Sequence, residues 1–211
     1  MVSRVSYRPF EDDDFVELAK ILQRTWHAKA PSLDYGFLEA CYDLARCLSI
    51  SSFSQVALID GEPRGIALAR GNHLHRRFTE HWQAVSDDLR KKLERMDAKV
   101  AGRYFLMDET ITRIDGELLQ AADIPPTYEI TLLIVSPEAR GLGIGGLLLD
   151  ALFSYFTSHG AVQAYVYTDS CCDWKFYERH GFKRRGSHRA TWEERRLLPK
   201  ELYLYEVDLT D

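Results

Sequence analysis

A chain of 211 residues with 45% hydrophobic and 28% charged content has the size and composition of one globular domain, expected to span residues 1–211. Its formal net charge of -5 argues against a general nucleic-acid partner and is compatible with a cationic substrate such as an amine. No run approaches membrane-spanning length and the start, Met1 to Val5, has no apolar signal core, so a cytoplasmic protein with no membrane partner is expected.

Val2 to Arg8 alternates as a first strand, with Val5 and Tyr7 on one side. The acidic run Glu11 to Asp14 suits the cap and first turn of a helix, and Phe15, Leu18, Ala19, Leu22 and Trp26 follow at helical spacing. A loop from His27 to Asp34 leads to a second helix with Leu38, Cys41, Tyr42, Ala45 and Leu48 on one face. Ser54–Asp60 and Arg64–Arg70 read as a hairpin turned at Asp60-Gly61-Glu62-Pro63.

Residues 72–126 read as a helical insertion between two sheet strands. Phe78, Trp82, Val85, Leu89, Leu93, Met96 and Val100 alternate by three and four, which predicts one long helix running through Val100. Ile111, Ile114 and Leu118 predict a shorter second helix before Pro125-Pro126. The apolar face of this insertion must pack on its own sheet or on a twin subunit, so a homodimer stays open.

Glu129 to Val135 is nearly continuous in apolar residues and should be a central strand. A helix from Gly143 to His159, a strand from Val162 to Thr168, a short helix from Asp173 to His180, and strands near Lys183–Ala190 and Leu202–Leu209 complete the pattern. This is an α/β fold with a mixed, mostly antiparallel central sheet and flanking helices. Cys41, Cys47, Cys171 and Cys172 have neither metal-ligand nor disulfide-framework spacing, so reduced thiols and no metal are expected.

Between the central strand and the next helix lies Arg140-Gly-Leu-Gly-Ile-Gly-Gly146. Glycines there bare N–H groups at the positive end of a helix, which is a site for a phosphate-bearing ligand. Gly141, Gly143 and Gly146 satisfy the dinucleotide pattern G-x-G-x-x-G, and Asp169 ends a later strand. The context disagrees, because Ser136 to Arg140 separates strand from glycine and only one strand–helix–strand crossover exists.

The alternative pattern is Arg140-x-x-Gly143-x-Gly145, preceded by Ile134-Val135-Ser136-Pro137 and followed by Phe176-Tyr177-x-x-x-Gly181-Phe182. In this arrangement the chain resembles the GNAT superfamily of acyl-coenzyme A N-acyltransferases from about Tyr128 to Phe182. The resemblance implies acetyl-coenzyme A as donor cosubstrate, direct attack by a primary amine of a small molecule, and a pyrophosphate held by the N–H groups of Gly141, Leu142, Gly143, Ile144, Gly145 and Gly146. Arg140 would act through its main chain. A bulge near Ile134 and Val135 would free main-chain groups for the pantetheine arm, and the Val135 amide would face the oxyanion.

The resemblance also assigns Tyr177 as donor to the departing thiolate, since a phenol with pKa near ~10 stays protonated at neutral pH. Glu129 would take the amine proton, with Asp108, Glu109, His73 and His75 as candidates if the insertion folds over the cleft. Ser170 falls where the family often places an asparagine, and it could cap the last short helix beside the pantetheine. Trp26, His27 and Tyr35 lie where the family builds its acceptor pocket. A sensing module that binds acyl-coenzyme A without catalysis, or an enzyme acting on a protein N-terminus or lysine, would share the same donor half.

Overall fold

In the computed structural model, which describes residues 4–73 and 75–210, the chain alternates strands and helices around one sheet. The strands are β1 (Val5–Arg8), β2 (Phe53–Ile59), β3 (Glu62–Arg70), β4 (Glu129–Val135), β5 (Gln163–Asp169), β6 (Lys183–Arg189) and β7 (Glu201–Asp208). The helices are α1 (Phe15–Trp26), α2 (Leu33–Ser49), α3 (Arg76–Met96), α4 (Ala98–Ala122), α5 (Ile144–Ser158) and α6 (Trp174–Arg179). Val2, expected in the first strand, lies outside the described residues.

The sheet order is β1-β2-β3-β4-β5-β7-β6. Every neighbouring pair is antiparallel except β4 and β5, which are parallel and joined through α5. Parallel strands cannot be linked by a tight turn, so the crossover helix and the turn before it follow from that one pairing.

The sheet is covered on both faces, which explains the continuous apolar run of β4. On one face Leu18, Leu22, Leu44 and Leu48 of α1 and α2 pack against Ile66, Leu68, Leu132 and Ile134. On the other, Leu148, Leu152 and Phe156 of α5 pack against Ala67, Ile130, Ala164 and Tyr205.

The insertion differs from the sequence expectation. α3 stops at Met96, and Asp97 takes an extended conformation with its carboxylate accepting the N–H groups of Lys99 and Val100 at 3.0 Å. Aspartate is poor in a helix interior and strong as a cap, so it ends one helix and starts another while Met96 and Val100 keep the apolar spacing across the break. The second helix is therefore 25 residues long rather than short. α3 lies along α2 through Leu89 and Leu93, and α4 crosses β5, β7 and β6 through Ile114, Leu118 and Leu119. The insertion thus extends the α1–α2 layer over the end of the sheet.

Candidate active site

β4 and β5 pair only at Glu129 with Tyr165 and Ile130 with Val166, and then separate. The register of β4 on β3 shifts at the same level: Leu68 faces Leu132 and Ala69 faces Ile130, leaving Thr131 as the extra residue. The bulge expected near Ile134 and Val135 therefore lies at Thr131, where Cys47 and Ser51 bond to its carbonyl and hydroxyl. An extra residue turns the strand away from its neighbour, which is the local cause of the splay.

Main-chain direction along β4 follows from one bond. The Ser136 N–H donates to the Arg64 carbonyl on the β3 side at 2.7 Å. By alternation Ile134 also faces β3, while Leu133 and Val135 turn their N–H and C=O groups toward the space that β5 has left. Ile134, expected to hold a ligand, instead pairs with Ile66 and buries its side chain among α1 and α2. Leu133 was missed in the sequence because nothing there marks the bulge that sets its direction.

Beyond β4, Gly141 and Gly143 adopt φ of +79° and +75°, and no atom lies within 4 Å of where a Cβ would stand on either. Side chains rarely tolerate that backbone, so glycine is required there. Gly143 precedes α5, whose first bond runs from the Leu147 N–H to the Gly143 carbonyl, so the earlier N–H groups of Ile144, Gly145 and Gly146 have no helical acceptor. Gly145 serves packing as well, since a Cβ would stand 3.3 Å from the Phe176 ring. Arg140 is exposed with an extended backbone ahead of the turn. An open, anion-favouring cradle beside free strand edges suits a diphosphate carrying an amide-rich arm, so these residues fit coenzyme A.

Tyr177 on α6 is half-buried among Phe176, Phe182 and Tyr205. Burial, reinforced by Cys172 and Asp173, raises its pKa, so the phenol is neutral at physiological pH. Ser170 does not cap α6. Its hydroxyl accepts the Glu201 N–H at 3.2 Å and its own N–H donates to the Glu201 carbonyl, tying β5 to β7. The neighbouring Cys172 thiol is pushed up to about 12 by burial and by Asp169, which leaves it a protonated and poor nucleophile.

Glu129 is buried at the start of β4, on the α2 side of the splay. Its carboxylate is ion-paired to Arg70, its partner in the sheet register, and accepts the Tyr165 hydroxyl at 3.3 Å. Burial raises its pKa while the Arg70 guanidinium opposes the rise. On the insertion, α4 carries Asp108 and Asp115 seven residues apart on one face. Asp108 pairs with Arg46 of α2 at 3.2 Å. Asp115 is pushed up to about 7 by burial and by the nearby charges of Glu129, Asp108 and Asp169, against the pull of Arg46.

Of the other candidates in the insertion, Glu109 turns outward to Arg90 at 3.6 Å and His73 lies beside His159. His75 precedes α3 and, with Phe78 and Ser52, borders a separate surface cavity. Asp115 was missed, although a carboxylate between Ile114 and Leu118 on a packing face was visible in the sequence.

His27 is buried at the end of α1 with Nδ1 3.1 Å from Glu39 and Nε2 2.9 Å from Asp43. Burial alone would lower its pKa, yet hydrogen bonds to the two carboxylates prevail and raise it to about 9. Asp43 also accepts the Tyr104 hydroxyl of α4, so this imidazolium cluster ties α1 and α2 to the insertion. Trp26 is exposed and Tyr35 is buried in the helical core. A surface cavity of about 400 Å³ opens near His27, Arg24 and Leu33, but neither Glu129, Tyr177 nor the glycine turn lines it.

Among the described residues, no helix is long and apolar enough to cross a membrane, and no group of three or more His, Cys, Asp or Glu side chains could hold a metal ion. No curated protein matches the chain in sequence. Among solved structures, an acetyltransferase of the GNAT family from Streptococcus pneumoniae is similar in fold, with a TM-score of 0.51 at 12% identity over 96% of this chain and 98% of that one. An aminoglycoside 6'-acetyltransferase type Ii gives 0.57 at 14% identity over 98% of each chain. The ribosomal-protein-S18-alanine N-acetyltransferase from Escherichia coli gives 0.55 at 11% identity over 99% of this chain and 96% of that one. The profile of the Acetyltransferase (GNAT) family matches residues 15–182, a span that includes β4, the glycine turn, α5 and Tyr177, and the chain belongs to that family.

Proposed function

We propose that the protein transfers the acetyl group of acetyl-coenzyme A to a primary amine of a small molecule, by direct attack with both substrates bound. The observation that carries this reading is the separation of β4 from β5 after Ile130, next to the bare N-terminus of α5. When bound, the donor supplies an activated acyl carbon and a leaving thiol. The N–H groups from Gly141 to Gly146 hold its diphosphate, and Leu133 and Val135 pair with its amide arm as an added strand would.

The Val135 N–H faces the thioester oxygen, where negative charge builds during attack. Tyr177, kept neutral by burial, gives its proton to the departing sulfur. The amine approaches from the α2–α4 side, where Glu129 presents a buried carboxylate to a cation. α4 crossing β5, β7 and β6 narrows that side, which favours a small acceptor over an extended protein segment.

The test is free-thiol release over a panel of small amines, peptides with free N-termini and lysine peptides. Release with small amines is expected, with Tyr177→Phe lowering turnover about tenfold or more while acetyl-coenzyme A affinity stays similar. Thiol release only with peptides would remove the small-molecule acceptor. Unchanged turnover in Tyr177→Phe would remove that residue from the mechanism.

A further inference from the structure

Glu129 is the buried carboxylate at the head of the splay, but it is already engaged. One oxygen meets both the Arg70 guanidinium and the Tyr165 hydroxyl. A carboxylate fixed beside a permanent cation makes a good counter-charge and a poor proton acceptor, because taking a proton would leave the buried guanidinium unpaired.

Asp115 has the opposite environment. It sits on α4 between the fully buried Ile114 and the half-buried Leu118, and these hold the helix against β7 and β5. The charged and titratable groups around it come from every element packed there: Glu129 from β4, Tyr167 and Asp169 from β5, Arg46 from α2 and Asp108 from its own helix. On the same face of α4, Asp108 meets Arg46 of α2 and Leu119 packs with Tyr165, whose hydroxyl is bonded to Glu129, so Asp115 stands on the side of α4 turned toward α2 and β5. Tyr167, packed against the same cluster as Leu119, and Asp169 stand on β5 beyond its last pairing with β4, which places this side of α4 beside the splay. Arg46 is committed to Asp108, and no ion pair among the described residues engages Asp115.

We propose that Asp115, brought over the cleft by the insertion helix, is the base that takes the proton from the acceptor amine, with Glu129 as the fixed counter-charge beside it. This rests on the acetyl-transfer reading above. The step balances without any further reactant. One N–H bond of the ammonium breaks and one O–H bond forms on Asp115, so a cation and an anion become a neutral amine and a neutral carboxylic acid. The nitrogen lone pair is then free to attack. A carboxyl held near pH 7 by burial and by like charges suits this exchange, because it is ionised when the amine arrives and is not so acidic that it refuses the proton.

Two measurements test the assignment. In the protein without donor, carbon NMR of the side-chain carboxyls should show one group titrating near pH 7. That group should vanish in Asp115→Asn and titrate at lower pH in Glu129→Gln, where a repelling charge is gone. Under saturating acetyl-coenzyme A, with amine varied, Asp115→Asn should lower kcat about a hundredfold and abolish the fall of kcat/KM for the amine on the acid side of pH 7. A titration in the ordinary carboxylate range, or an acid limb that persists in Asp115→Asn, overturns the proposal for Asp115 alone. A wild-type protein that releases no thiol with any amine overturns both this and the acetyl-transfer reading.

Discussion

The two halves of the proposed cleft are built from different material. The donor half, from β4 through the glycine turn into α5, is a surface of main-chain groups supplied by one continuous stretch of about twenty residues. The proposed acceptor half is made of side chains brought together from the end of α1 and from α2, α4, β3 and β4: His27, Asp43, Arg46, Asp115, Arg70 and Glu129. The first leaves a sequence signature, because only glycine suits the positive φ at positions 141 and 143. The second leaves none, because partners dozens of residues apart have no fixed spacing. Shared chemistry with the donor is therefore easy to read, and acceptor choice is not.

This contrast can be broken from either side. Gly143→Val places a β-branched residue at φ +75° and should weaken acetyl-coenzyme A binding by on the order of a hundredfold, measured by calorimetry below the melting range, with Tm lowered by only a few degrees from the backbone strain. Unaltered binding would mean that the turn is not the diphosphate cradle.

On the acceptor side, His27→Gln should destabilise the fold through its buried cluster rather than through the donor. The folded state raises the histidine pKa from 6.5 to about 9, so the stabilisation is complete below pH 6.5 and fades as pH rises through 9. Linkage across that interval sets a ceiling of about 3 kcal/mol. Urea melts of variant and wild type should differ most near pH 6 and converge by about pH 10. A difference that does not depend on pH would remove the imidazolium from the account.

The smallest effect is expected at the start of α4. Asp97→Ala removes both cap bonds and should cost about 1 kcal/mol, seen as a Tm lower by a few degrees, with donor affinity unchanged. A larger loss of turnover than of stability would show that the placement of α4, and of Asp115 with it, is tuned through its cap.

The succession of strands and helices along the chain, the central position of β4 and the glycine turn were legible because each rests on local periodicity or on a glycine requirement. Three features were not, for physical reasons. The bulge at Thr131 puts Glu129, Thr131, Leu132 and Ile134 on one face, which alternation alone cannot foresee. Asp97 divides two helices whose apolar stripes stay in phase across it, so periodicity reads them as one. Ser170 sits where a helix cap would be expected, but the antiparallel arrival of β7 claims its hydroxyl first. Asp115 is the instructive omission. A carboxylate amid Ile111, Ile114 and Leu118 contradicts the pattern of a packing face, and that contradiction is the signal on which the proposed base rests.

The most direct test of the donor assignment is thermal unfolding of the intact protein with acetyl-coenzyme A, coenzyme A or NAD, each well above micromolar concentration. Stabilisation by both coenzyme A ligands and none by NAD is expected. Stabilisation by NAD, or a Tm unmoved by acetyl-coenzyme A, would contradict the assignment of the glycine turn and the splayed strands to an acyl-coenzyme A donor.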